Sequence, residues 1–350
     1  MTARTQFYLL GNNSHLSDSL NKLSDYNCNK LENQTLESLQ PDETVSLFEE
    51  TSSEYVGFIE RPELIDQTQL NQIKNFELKR DQTGACFLPF SSAELFTQSY
   101  EILSPIAVLL AMNPFQHAIV LIHKSTFLSL KEIPNSEDLL WHSLILMAEA
   151  GIKNQLIAAP ALNVGRKLQI PLPQLAPDYP GHDRDWLLHL IRDYQPAQDL
   201  PSVSSQADAI ALKAGLLCIH DYLEESHQLS QSVEHEGPHR SGDYWHHIMH
   251  RREPDYSNAK YWSRAVGHHP LHVVLPEAVE PLFDQFHSPA VANWKNQLLQ
   301  SERWSLNSFV DCCAECESNQ NLELNDLAQN IQWIEMQLLL QKTSLDATTG

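Results

Sequence analysis

The chain has 350 residues, 42% hydrophobic and 19% charged, the balance of a folded globular protein long enough for two domains. A formal charge of −22 at pH 7 argues against nucleic acid or an anionic membrane surface as a partner, since both would repel the chain. The longest apolar stretch, Ile106 to Ile122, is broken by Asn113-Pro114-Phe115-Gln116-His117 and cannot span a bilayer as one helix.

From the N-terminus, Phe7-Tyr8-Leu9-Leu10-Gly11 reads as a strand, too brief for the core of a signal peptide. Leu16 to Leu23 reads as a short helix, Asn27 to Leu31 as a second strand, and Glu43 to Thr51 has helical spacing. Glu54 to Glu60 is an apolar strand running into Arg61-Pro62. This alternation predicts an α/β domain with a mostly parallel, Rossmann-like sheet. The crevice of such sheets lies beyond the carboxyl ends of the strands, which puts Asn12, Asn13, Glu60 and Glu63 at its mouth. Ala93 to Met112 is expected to be largely helical, Ala118 to Ile122 a strand, and Glu137 to Ala150 a helix stopped by Gly151.

The first domain is placed at residues 1–168. A proline-rich linker at 169–205 follows, with a helix from Asp185 to Tyr194 inside it. Residues 206–341 read as an all-helical domain, beginning with one long helix from Gln206 to Val233. Two short helices, Tyr244 to Arg251 and Asn258 to Val266, flank Pro254, and further helices cover Ser288 to Ser301, Leu306 to Glu317 and Leu324 to Gln341. Residues 342–350 read as a frayed tail.

Leu216 to His272 holds ten of the 17 histidines. Glu224 and His227 are spaced i, i+3; His246 and His250 are spaced i, i+4, with Glu253 at the end of their helix. Histidines and carboxylates on facing helices are how bundles hold transition metals, so Glu224, His227, His246, His250 and Glu253 are candidate ligands for a divalent ion (Mn, Mg, Fe or Zn). The same residues equally suit a buried polar network, and His250 alone could act as a general base. Arg251 and Arg252 could grip a phosphate or carboxylate, or pair with nearby acids. Tyr244, Trp245 and Trp262 could stack on a ligand or fill the core. Cys312-Cys313-Ala314-Glu315-Cys316 holds one Cys-x-x-Cys with no second pair, which speaks for a packed helix rather than a zinc site. The six scattered cysteines fit a reducing cytoplasm.

The run Tyr244-Trp245-His246-His247-Ile248-Met249-His250-Arg251-Arg252-Glu253-Pro254-Asp255-Tyr256-Ser257-Asn258-Ala259-Lys260-Tyr261-Trp262, with Leu223 to His227 upstream, resembles the signature of a broad group of bacterial and fungal proteins without an established activity. The first half is similar to the nucleotide-sugar-binding (GT-A) fold of family 2 glycosyltransferases. Glu49 to Glu63 looks like their helix and strand leading to a metal-binding acid pair, and Glu137-Asp138-Leu139-Leu140-Trp141 like the segment with their catalytic base. That resemblance implies a nucleotide-sugar site with Glu60 and Glu63 near the diphosphate and Asp138 as base. The chain departs from the pattern where Arg61-Pro62 separates the two acids. Three readings stand side by side: a glycosyltransferase-like protein, a non-catalytic module binding a small anion or a protein, and a metal-dependent enzyme sited in the helical domain.

Overall fold

Five consecutive residues with no ionisable carboxylate or amine, Tyr55-Val56-Gly57-Phe58-Ile59, form the strand on which the first unit is built, and all five are buried. The computed structural model describes residues 5–10, 28–30, 35–65, 84–90, 93–157, 170–178, 184–319 and 321–349. The expected Leu16–Leu23 helix and Asn12 and Asn13 lie outside these residues. The chain divides into two units, one of residues 1–101 with 105–163 and the other of 102–104 with 164–350.

The first unit is mixed α/β. Its strands are β1 (Thr5–Leu9), β2 (Cys28–Lys30), β3 (Tyr55–Ile59), β4 (Ala85–Pro89), β5 (Ala118–His123) and β6 (Gln155–Leu156), in the order β2-β1-β3-β5-β4-β6. β1 pairs in parallel with β2 and β3, and β4 with β6, while β5 runs antiparallel to both β3 and β4. Five strands therefore share one direction and β5 alone opposes them. Helices α1 (Pro41–Glu50), α2 (Glu94–Ile102), α3 (Pro105–Ala111), α4 (Lys124–Leu128) and α5 (Leu139–Glu149) accompany the sheet. Phe48 of α1 stacks on Phe127 of α4 at 3.9 Å, and Trp141 Nε1 of α5 donates 2.7 Å to the Leu109 carbonyl of α3. The helix expected over Ala93–Met112 is two helices, because Pro105 starts a new one. β4 had no counterpart among the sequence expectations; its neighbours carry no alternating pattern to mark it.

The described part of the second unit is helical. It comprises α6 (Asp185–Asp193), α7 (Pro196–Asp199), α8 (Gln206–Ile219), α9 (Leu223–Gln231), α10 (Ser241–Arg252), α11 (Tyr256–Val266), α12 (Leu271–Phe283), α13 (Pro289–Leu298), α14 (Leu306–Asn319) and α15 (Leu322–Thr349). The single helix expected from Gln206 to Val233 is two, because Asp221 takes a left-handed conformation (φ 67°) and turns the chain back on itself. α9 then packs on α8 through the buried Ser226, whose hydroxyl donates 2.8 Å to the Ala214 carbonyl. α12 was missed because Pro276 and Pro281 sit inside it. The expected tail is the buried end of α15: Thr343, Ser344, Asp346 and Ala347 are all inside. The expected linker also belongs to this unit, with the Gln174 carbonyl accepting from Arg252 and Gln332 and the Arg184 carbonyl from Tyr222. Among the described residues, no helix is long and apolar enough to cross a membrane.

Gly57 leaves room where a side chain cannot go, since a Cβ there would lie 2.5 Å from Cδ1 of Phe7 across the β1–β3 pairing. Gly57→Ala is expected to destabilise the sheet unit by about 1–3 kcal/mol, the usual cost of overpacking, read as a lower denaturant midpoint.

Candidate functional site

The Asp221 turn carries His227 to the flank of α10, where His246 and His250 stand one helical turn apart. The ring centroids lie 4.7 Å apart for His227–His246, 5.1 Å for His227–His250 and 4.8 Å for His246–His250. One nitrogen from each ring falls within 4.8 Å of the other two, so the group could hold a metal ion. Trp262 of α11 stacks on His246 at 3.7 Å and closes that side of the group.

His246 is 1% exposed, and neither ring nitrogen has a hydrogen-bond partner. Burial, followed by the neighbouring His250 and His227, pushes its pKa down to about 3, so at neutral pH the ring is uncharged with a free lone pair. His250 is oriented from outside the group. Its Nδ1 is 3.1 Å from Glu253 Oε2, a carboxylate acceptor that favours the proton on Nδ1 and leaves the lone pair on Nε2. The Asn258 amide nitrogen is 3.0 Å from that Nε2. Glu253 therefore meets the group through His250. Glu224 does not join: it is on the solvent side of α9 and accepts a 2.9 Å bond from Gln228.

The other residues of the signature are turned into the core. Arg251 pairs with Glu335 of α15 at 2.6 Å, both side chains fully buried, and its guanidinium carbon lies 4.5 Å over the Phe309 ring. Arg252 bonds to the Asp221 carboxylate and to the carbonyls of Cys218 and Gln174. The expectation that this pair grips a phosphate or carboxylate from solvent is corrected by that burial. Tyr244 donates 3.0 Å to Glu335, and Trp245 Nε1 donates 3.2 Å to the Thr343 hydroxyl; both are core residues. Trp262, 6% exposed, serves the histidines and not an open stacking surface. Cys312, Cys313 and Cys316 are buried and unbridged on α14.

In the first unit, Glu60 follows the carboxyl end of β3 and accepts 2.7 Å from Gln116. Glu63 is ion-paired with Arg61 at 2.6 Å. Asp138 is 3% exposed and precedes α5, its carbonyl accepting 2.9 Å from His142 N–H. Two residues escaped the sequence reading. Asn258 carries no pattern that points eight residues back to His250. Glu335 had a signal, being the only acid between Asp326 and Asp346, in a stretch whose one other charged residue is Lys342.

Comparison with known proteins returns no family model, no curated relative and no solved structure that matches this chain.

Two further histidines do structural work. His247 Nδ1 donates 2.7 Å to the Ala259 carbonyl and ties α10 to α11, while His269 Nδ1 accepts 3.2 Å from Leu271 N–H at the start of α12. Burial above all pushes both pKa values down to about 3, from an unfolded value of about 6.5. A histidine held neutral in the fold stabilises it above the unfolded pKa and loses that contribution as pH falls. Each should cost about 1.4 kcal/mol of stability per pH unit below about 6. Urea midpoints measured from pH 7.5 to 5 should therefore fall steeply below 6.5, and His269→Gln should flatten the slope by one group's share.

Proposed function

We propose that His227, His246 and His250 hold a divalent transition-metal ion and that the helical unit is a metal-dependent enzyme acting on a small substrate. The observation that carries this reading is His246. A buried imidazole with two unpartnered nitrogens is an exception among folded proteins, because leaving such a group unsatisfied costs about 1–3 kcal/mol. A cation bound at one of those nitrogens would offset much of that cost.

The donor set fits. Three neutral imidazoles suit zinc, iron, cobalt or manganese better than calcium or magnesium, which prefer oxygen. A three-histidine centre leaves coordination positions for substrate or water and supplies Lewis-acid polarisation or an activated water when loaded. The protein's own share is to hold the rings. Glu253 favours one tautomer of His250, and Trp262 shields His246 from water. Glu253, 34% exposed at its side chain, keeps contact with solvent while it orients His250. The expected result is near-stoichiometric zinc, iron, cobalt or manganese in the purified protein, reduced at least tenfold in His246→Ala. Wild-type protein that stays metal-free after incubation with each ion would end the reading.

A second reading, for the first unit, is a glycosyltransferase-like protein that uses a nucleotide sugar or descends from one that did. It draws support from the five co-directed strands and from Glu60 and Glu63 just past the carboxyl end of β3. The ion pair between Arg61 and Glu63 weighs against it, since it occupies one of the two acids. On this reading, UDP-sugar binds in a Mn²⁺-dependent manner, and Glu60→Ala weakens binding at least tenfold. Calorimetry showing no heat with UDP-glucose and Mn²⁺ would leave the unit without that role.

A further inference from the structure

We propose that the outer face of α12 is a docking groove for an arginine-bearing, partly apolar segment of a partner protein. Its role does not depend on the histidine centre.

Val273, Pro276, Glu277 and Glu280 are spaced i, i+3, i+4, i+7, so they share one face of α12. Leu299 and Glu302, from the segment after α13, lie across from them, and the two sides line an open groove of about 360 Å³. α12 turns Leu271, Leu275, Val279 and Leu282 into the core. Its other face is left apolar in part: Val273 is 60% exposed and its neighbour Val274 48%.

The rest of the groove is acidic. Among the described residues, Glu277, Glu280 and Glu302 have no ion pair or side-chain hydrogen bond. The cations nearest to Glu302 in sequence are engaged elsewhere, Lys295 at 2.7 Å from Asp284 and Arg303 Nη1 at 3.4 Å from His268 Nδ1. A backbone acceptor adds to the carboxylates. Each proline inside α12 lacks an N–H, which leaves the carbonyl four residues earlier without its usual helical donor. For Pro276 that carbonyl is His272, and Trp304 N–H takes it at 2.6 Å. For Pro281 it is Glu277, in the groove, and among the described residues no loop N–H or side chain takes it.

This set selects its occupant. Carboxylates beside a carbonyl match a guanidinium, whose planar fork of donors bonds two acceptors at once. Valine, proline and leucine match the apolar side chains next to it. A nucleic acid or an anionic membrane is repelled. A second copy placed on this face about a two-fold axis would set the three carboxylates against their own images. A basic segment is the chemistry left, and the charge of −22 draws it in at a rate that falls as salt rises.

The test is selection of a random dodecapeptide library, displayed on phage, against the full chain. Counter-selection uses Glu277→Lys/Glu280→Lys, its helix content checked by far-UV circular dichroism. The expected result is enrichment of peptides in which arginine stands next to leucine, valine or phenylalanine. Synthetic copies should bind at least tenfold more weakly to Glu302→Lys and at least threefold more weakly to Val273→Ser. Their affinity should be unchanged in Glu132→Lys, which makes the same charge change at an exposed position of the first unit. No enrichment over the counter-selected variant, or enriched peptides without basic residues, overturns the proposal. So does an equal loss in Glu132→Lys, which reduces the effect to net charge. A dimer in sedimentation velocity that Val273→Ser dissociates also overturns it, by assigning the face to a second copy.

Discussion

The histidine group depends on one corner of the backbone. α8 and α9 form a hairpin only because the chain reverses at Asp221, and that reversal is held by Arg252 from α10. The guanidinium bonds the Asp221 carboxylate and, at the same time, the Cys218 carbonyl, one of the last four acceptors of α8, which also takes the Asp221 N–H. One arginine thus satisfies the end of α8, neutralises the residue in the left-handed turn and fixes α9 against α10. Without that reversal α8 would continue through residues 220–227, and His227 would be carried away from His246 and His250. The residue adjoining Glu253 in sequence therefore acts on the site by placing its most distant member.

A second constraint joins α10 to α15. Arg251, Tyr244 and Glu335 form a buried set in which the carboxylate accepts from both partners. Such a pair does little for net stability, since its desolvation cancels most of the attraction, whereas removing one partner typically costs about 3–5 kcal/mol. Its consequence is register. Between Asp326 and Asp346, α15 offers no acid except Glu335, so only one turn of that helix can face the guanidinium. Trp245 reinforces the same register through its 3.2 Å bond to the Thr343 hydroxyl, and on its other side fills the space over Gly215 of α8, where a Cβ would come within 2.5 Å of the indole. The rings that look like a ligand platform in the sequence are spent on positioning helices.

The parts of this fold legible from sequence are those with a local cause. β1, β3 and β5 are short apolar runs between polar turns, and α5 and α11 have helical spacing with clear ends; each lies within a few residues of its expected place. The convergence of the 224–227 and 246–253 stretches was also readable, because i, i+3 and i, i+4 spacings fix helix faces. Which members converge was not. Glu224 and His227 share a face by spacing alone, yet the acid ends in water, bonded to Gln228, while the imidazole ends at the group. The break at Asp221 had no glycine or proline to announce it. Nor could the sequence say that Arg251 and Arg252 point inward, since their partners lie at Glu335, Asp221 and two backbone carbonyls far away along the chain.

All twelve residues of α10 are buried, yet its mean composition is polar. A helix buried all round is normally apolar all round, and this one succeeds because each face meets a dedicated partner. Tyr244 and Arg251 meet Glu335, His247 meets the Ala259 carbonyl, Asp243 takes both the backbone N–H and the ring of His235, and Arg252 takes the Asp221 corner. His246 alone among the ionisable side chains of α10 ends with no hydrogen bond, at a place ringed by two more imidazoles and an indole. Where every other ionisable side chain of the helix holds at least one hydrogen bond, an imidazole with none is poorly explained as packing, because an apolar side chain of similar size would fill the space without the desolvation cost. An imidazole held neutral, buried and lacking a proton partner is the form in which histidine binds a metal ion, and that is why the metal site is proposed around His246 and not around His247, whose Nδ1 is already bonded to the Ala259 carbonyl.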